Sequence, residues 1–147
     1  MLIKEISEKE CLDTVSRASV GRLGCSFNDQ PYVVPIYFAY DGKWIFVFST
    51  YGKKIEWMRA NPKVCVEIEE KVGESEWISV LVNGRYEELA VPQFAEARSH
   101  ARELLAKKHH WWLNALAERR VSAEDQEVEP LFFRIHVDTT TGLRWGT

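Results

Sequence analysis

Cysteine is scarce in this chain. There are three, Cys11, Cys25 and Cys65, an odd number with no Cys-x-x-Cys pair. That excludes a disulfide framework and a zinc knuckle. Glycine (8) and proline (5) are too few and too scattered for a low-complexity or collagen-like chain. No apolar run approaches the length of a membrane span. The first residues, Met-Leu-Ile-Lys-Glu-Ile-Ser-Glu, lack the apolar core of a signal peptide. A cytoplasmic protein with reduced thiols is the expectation. Charge of one sign is also missing: the net charge is -3 over 147 residues. No general footprint for nucleic acid follows from that balance, and none is expected as a partner.

What is present is an ordinary globular balance, 46% hydrophobic and 28% charged, enough for one core and a single domain over 1–147. Aromatics reach 12%, with six tryptophans, which fits a large core, a buried subunit face or a flat-ring ligand equally well. The charges are unevenly placed. Lys53, Lys54, Arg59 and Lys63 form a basic run, and Glu67, Glu69, Glu70, Glu74 and Glu76 an acidic one. A basic pocket on an acidic protein suits a small anion better than a polyanion.

Along the chain, Ser7-Glu8-Lys9-Glu10 is a capping box opening a helix with Cys11, Leu12, Val15 and Ala18 at helical spacing, and Ile6 is placed to staple onto Cys11. From Val20 the period becomes two. A weak strand over 20–27 leads to the turn Asn28-Asp29-Gln30-Pro31. Residues 32–40 read as one strand, and Pro35 within it demands an edge, a bulge or an opening in the sheet. Asp41-Gly42 is a hairpin signal. The return strand, 43–50, is apolar on both faces and so is covered on both sides. A short helix is predicted over 53–60 with Ile55 and Met58 inward, ended by Asn61-Pro62. Strands follow over 64–69 and 77–89, with Gly84 a bulge or close approach. Helices are predicted over 94–107 and 109–119, a surface loop over 122–130, and a last strand over 131–137 before a turn and short tail. About six strands with hairpin turns and peripheral helices predict a mainly β fold, an antiparallel sheet closing into a small barrel.

The stretch 48–59 carries the most chemistry. It joins an aromatic strand to a helix start, with Phe48, Ser49, Thr50, Gly52, Lys53 and Lys54 at the joint. A helix N-terminus offers backbone N–H groups and a partial positive charge to an anion. Hydroxyls and lysines added there make a candidate phosphate site. The same residues also fit a capped, solvated helix start. Gly52-Lys53-Lys54 is not a P-loop. Cys25 and Cys65, both on strands, read as inert core thiols. His109 and His110 cannot form an i, i+4 metal pair, and His100 and His136 show no carboxylate at a telling spacing, so no metal site is expected.

Five motifs stand in order: Gly-Arg-Leu-Gly (21–24), Pro-Tyr-Val-Val-Pro-Ile-Tyr-Phe-Ala-Tyr-Asp-Gly (31–42), Ile-Phe-Val-Phe-Ser-Thr-Tyr-Gly-Lys-Lys (45–54), Asn-Pro-Lys-Val-Cys (61–65) and Trp-Ile-Ser-Val (77–80). This order resembles the pyridoxamine 5'-phosphate oxidase-like family of FMN-binding split barrels, within it the small flavin-binding proteins similar to nitroimidazole-resistance proteins. The resemblance implies a six-stranded split β-barrel, a homodimer, and FMN at the subunit interface. It places Phe48, Ser49, Thr50, Lys53 and Lys54 at the flavin phosphate. It sets the backbone of Val34, Pro35, Ile36 and Tyr37 against the ring, and brings Trp77 and Ser79 to the site from a strand that can belong to the partner subunit.

Redox chemistry would then be the cofactor's, which accounts for the lack of a visible acid/base pair. The expected activity is that of an FMN-dependent oxidoreductase passing electrons from a nicotinamide donor to a small acceptor. Two other readings stand beside it: a flavin-binding carrier or sensor without turnover, and the same barrel holding haem or another cofactor.

Overall fold

The computed structural model describes residues 1–108 and 130–146. The helix expected over 109–119, with Trp111, Trp112, His109 and His110, lies outside the described residues, as do residues 122–129 of the loop expected over 122–130; Pro130 opens the last strand. The elements are β1 (Leu2–Glu5), α1 (Glu8–Arg17), β2 (Val20–Phe27), β3 (Gln30–Tyr37), β4 (Ala39–Tyr40), β5 (Trp44–Thr50), α2 (Lys53–Ala60), β6 (Lys63–Val72), β7 (Glu76–Glu88), α3 (Ala95–Ala106) and β8 (Pro130–Gly146).

All eight described strands form one antiparallel sheet in the order β3-β2-β6-β7-β8-β5-β4, with β1 added to the far end of β8. β3 and β4 sit at opposite ends of this order, yet only Phe38 separates them in sequence. One residue spans a few ångströms, whereas seven strands laid flat would span roughly 30 Å. The sheet therefore curls until its ends meet. Phe38 marks the corner, its N–H donating to the Ser19 carbonyl (2.9 Å). β3 touches β5 but shares no hydrogen-bond ladder with it. The barrel is split along that seam.

Local chemistry explains the elements. Ser7 caps α1, accepting from Glu10 N–H (3.1 Å) and donating to the Glu10 carboxylate (3.4 Å). Ile6 and Cys11 pack together over Gly142, the expected staple. The β2–β3 hairpin turns on Asn28 and Asp29, both with positive φ (49° and 63°), a conformation these two residue types tolerate. Asp41 accepts from the N–H groups of Lys43 and Trp44 and shapes the β4–β5 turn. On β5, Ile45 and Val47 fill the barrel, while Phe46 packs with Ala101 and Leu105 of α3 on the other face. Both sides are covered, as its composition requires.

Four expectations need correction. Residues 32–40 are not one strand, since the break falls at Phe38 and not at Pro35. Pro35 sits opposite Arg22 on an edge strand, where its missing N–H costs no ladder bond. The sheet has eight strands rather than about six, because β1 and β4 were not foreseen. The supposed turn and tail after 137 is instead strand: β8 runs to Gly146, paired with β7 throughout its second half and with β1 at its end. Its Thr-Thr-Thr-Gly run looks irregular alone, but two flanking strands complete its ladder. His100 and His136 do have carboxylate partners, Asp41 (3.1 Å) and Asp138 (2.6 Å).

Candidate anion-binding site

β5 delivers Ser49 and Thr50 to the seam, and both are buried, at 0% and 4% exposure. The chain then passes Tyr51 and Gly52 into α2. Gly52 is the N-cap and contributes no side-chain cap bond. The first-turn N–H groups of α2 have no intrahelical partner. α2 folds back onto β2 beside the seam, held by Ile55 and Met58 in the core. Arg59 is exposed and pairs with Glu88.

The two lysines are not equivalent. Lys54 is 7% exposed, and burial pushes its ammonium down to about 8. The Cys25 thiol is close enough to interact with it, and burial pushes that thiol upward, so it stays protonated. Lys53 is exposed and lies over two rings, 4.8 Å from the Tyr32 centroid and 4.6 Å from that of Trp57. These aromatics were not among the expected site residues, although Trp57 stands four positions after Lys53, where helical side chains meet.

Of the ring-facing candidates, Val34, Pro35, Ile36 and Tyr37 all lie on β3 along the seam, paired with Leu23, Arg22, Gly21 and Val20. Ile36 is fully buried, Val34 and Tyr37 are half-buried and Pro35 is exposed. Phe48, half-buried, packs on Phe132 at a centroid distance of 5.0 Å. The structure thus gathers the joint and the β3 candidates around one seam.

Trp77 and Ser79 are elsewhere. Ser49 pairs with Leu131 on β8, whereas Ser79 pairs with Leu143, twelve residues further along the same strand. That is roughly 40 Å of strand contour. Within one chain these two residues do not meet the joint. By register they share the outer sheet face with Leu81, Leu143, Trp145 and Ile3. Ile3, Trp77, Leu81 and Leu143 are exposed there, at 64%, 37%, 38% and 43%.

Cys65 also departs from expectation. It is half-exposed opposite Gly24, on the floor of a trough of about 550 Å³ along the outer face that Tyr32, Val33, Lys63 and Arg85 also line. A second cleft, of about 410 Å³, adjoins the joint between Tyr51, Arg59, Arg98 and Leu131.

Comparison with known proteins follows this geometry closely. The family model described as pyridoxamine 5'-phosphate oxidase matches residues 7–144. An uncharacterised protein of Rhizobium meliloti (strain 1021) is 39% identical over 97% of this chain and 95% of its own. Among solved structures, an FAD-binding protein from Mesorhizobium loti superposes with a TM-score of 0.79 at 39% identity, covering 98% of this chain and 97% of that one. A candidate 5-nitroimidazole antibiotic resistance protein from Bacteroides thetaiotaomicron shares the fold, with a TM-score of 0.70 at 21% identity over 99% of this chain and 90% of that one.

Proposed function

Since the chain belongs to the pyridoxamine 5'-phosphate oxidase family, we propose that it binds a flavin nucleotide, FMN or the FMN half of FAD, and works as a flavin-dependent oxidoreductase. Electrons would pass from a nicotinamide donor through the flavin to a small acceptor. The observation that carries this reading is the joint itself, where Lys53 and the buried Lys54 stand together in the first turn of α2, a helix whose N-cap, Gly52, makes no side-chain bond. A phosphate at this joint would meet two ammonium groups and the first-turn N–H groups of a helix.

The donor set fits the group. Lys54 holds the phosphate from the buried side and Lys53 leaves its aromatic perch to reach it from solvent. Ser49 and Thr50 add hydroxyls, and the first turn of α2 adds N–H groups. The backbone of Val34 to Tyr37 forms the ring's wall. When bound, the flavin supplies hydride and electron transfer, and the chain's part is to position it. The similarity to an FAD-binding protein from Mesorhizobium loti supports a flavin, and the shared FMN moiety lets one phosphate site serve either form.

The reading includes a homodimer. Trp77 and Ser79 can join the joint only from a second chain, and the exposed apolar row around them on the outer face supplies a surface for one. The three free cysteines fit a reducing, cytoplasmic setting.

The test is direct. Freshly purified protein is expected to show flavin absorbance or to bind added FMN at micromolar levels. The double variant Lys53→Ala/Lys54→Ala is expected to weaken FMN at least tenfold, the loss of about one charge-assisted contact or more. Absence of flavin bands together with no binding of added FMN sinks the proposal. Anaerobic NADH or NADPH then separates the enzyme from a passive carrier: bound flavin that fails to bleach over many minutes supports the carrier.

A further inference from the structure

The cleft beside the joint holds a second, separate set of groups. Its walls come from Tyr51 after β5, Arg59 of α2, Glu88 to Val91 after β7, Arg98 of α3, and Pro130 and Leu131 of β8. It abuts the phosphate joint directly, because Pro130 and Leu131 are the ladder partners of Thr50 and Ser49. Its volume, about 410 Å³, falls in the range of small-ligand sites.

Among the described residues its charges are unbalanced. Arg59 is neutralised by a two-pronged bond to Glu88 (2.8 and 2.9 Å), and Tyr86 O–H donates to the same carboxylate (2.7 Å). Those bonds hold the Glu88 carboxyl below its usual range. Arg98 is different. It is half-buried, its guanidinium lies 5.1 Å from the Phe132 ring centroid, and no carboxylate among the described residues pairs with it. A partly desolvated guanidinium lining a concave wall favours an anion. Beside it stand a flat ring, Tyr51, half-exposed with the Arg59 guanidinium 5.1 Å away, and the apolar Leu89, Val91 and Leu131. Among the described residues the cleft therefore combines a positive charge with no carboxylate partner, an aromatic face and an apolar wall.

We infer that this cleft is a subsite for an adenosine 5'-phosphate group, with its phosphate on Arg98 and its base over Tyr51. The inference rests on the flavin reading for what fills the neighbouring joint. Two ligands carry such a group. In FAD the second phosphate is tied to the first through a single bridging oxygen, and the cleft begins where the joint ends. In a nicotinamide dinucleotide donor the same group would anchor the donor beside the flavin.

The test uses the full chain and three probes: 5'-AMP, FMN and FAD. In the wild type, 5'-AMP is expected to shift NMR signals of Tyr51, Arg59 and Arg98. Arg98→Ala is expected to weaken 5'-AMP about tenfold, the scale of one charge-assisted contact, and to leave FMN affinity unchanged. If FAD binds the wild type more tightly than FMN and Arg98→Ala removes that advantage, the group belongs to the flavin. If FAD has no advantage and Arg98→Ala instead raises KM for NADH at unchanged kcat, it belongs to the donor. The inference is overturned if 5'-AMP leaves those signals unmoved while FMN binds, or if Arg98→Ala weakens FMN and FAD equally. Should neither flavin bind while 5'-AMP still does, the flavin reading falls and the subsite stands. Where Arg98→Ala does not fold, the wild-type 5'-AMP titration decides.

Discussion

Lys54 sets the balance between stability and binding at the level of single residues. Its ammonium is pushed down to about 8 by burial, against an ordinary value of 10.5. Below about 8 both folded and unfolded chains carry the proton, and the cost of burying the charge is present in full. Between about 8 and 10.5 the unfolded chain holds a proton the folded chain has released, so stability of the ligand-free protein rises with pH across that window. The gain is on the order of 3 kcal/mol. Denaturant midpoints at pH 7 and pH 10 read it, with Lys54→Met as the control that removes the slope. The same substitution removes the ammonium from the joint. It should weaken FMN at the same time. Anion binding reverses the shift at Lys54, so flavin affinity is expected to fall above about pH 8, with proton uptake on binding near that pH measurable in buffers of different ionisation heat.

At the scale of elements, the long β7–β8 ladder carries the fold and its one irregularity is diagnostic. The register shifts at Asn83 and Gly84. A Cβ at Gly84 would overlap the His136 carbonyl oxygen and press on Ile135 Cγ2 at 2.8 Å. Both are fixed parts of β8, so neither can swing aside. Gly84→Ala is expected to cost about 3 kcal/mol or more, an overpacking penalty, seen as a lowered denaturant midpoint. Gly52→Ala is the useful contrast. No neighbour lies within 4 Å of its would-be Cβ, and its φ of -175° is extended backbone that any residue adopts. Little stability should be lost there, though the approach to the α2 N-terminus narrows.

At the scale of the whole molecule, the outer sheet face poses the question of assembly. Light scattering is expected to give twice the chain mass. Leu143→Arg, at an exposed position, is expected to yield a folded monomer with weakened flavin binding, because in the proposed dimer it would separate Trp77 and Ser79 of one chain from the joint of the other. A monomeric wild type that binds flavin with full affinity would rule out the shared site. Spectra, light scattering and flavin titration on the same two samples suffice.

Much of this protein was legible from its sequence, for local reasons. The capping box at Ser7, the Asn28-Asp29 turn, the Pro35 edge position, the alternation of 64–69 and the Gly84 bulge follow from rules that act over a few residues, and tertiary contacts reinforced each one. The hydroxyl and lysine composition of the joint at 49–54 is likewise local. Other features came only with the fold. β1 and the second half of β8 have weak patterns of their own and become strands because each supplies the other's partner. The sheet's curl depends on Phe38 joining its two ends, which no periodicity reports. The difference between Lys53 over aromatic rings and Lys54 in the core is a matter of what β2 and β3 place beneath α2. The remoteness of Trp77 and Ser79 from Ser49 follows from strand order alone. Sequence determined which hydroxyls and lysines stand at this joint; the tertiary structure decided which of them are buried, because burial depends on what distant strands place around them.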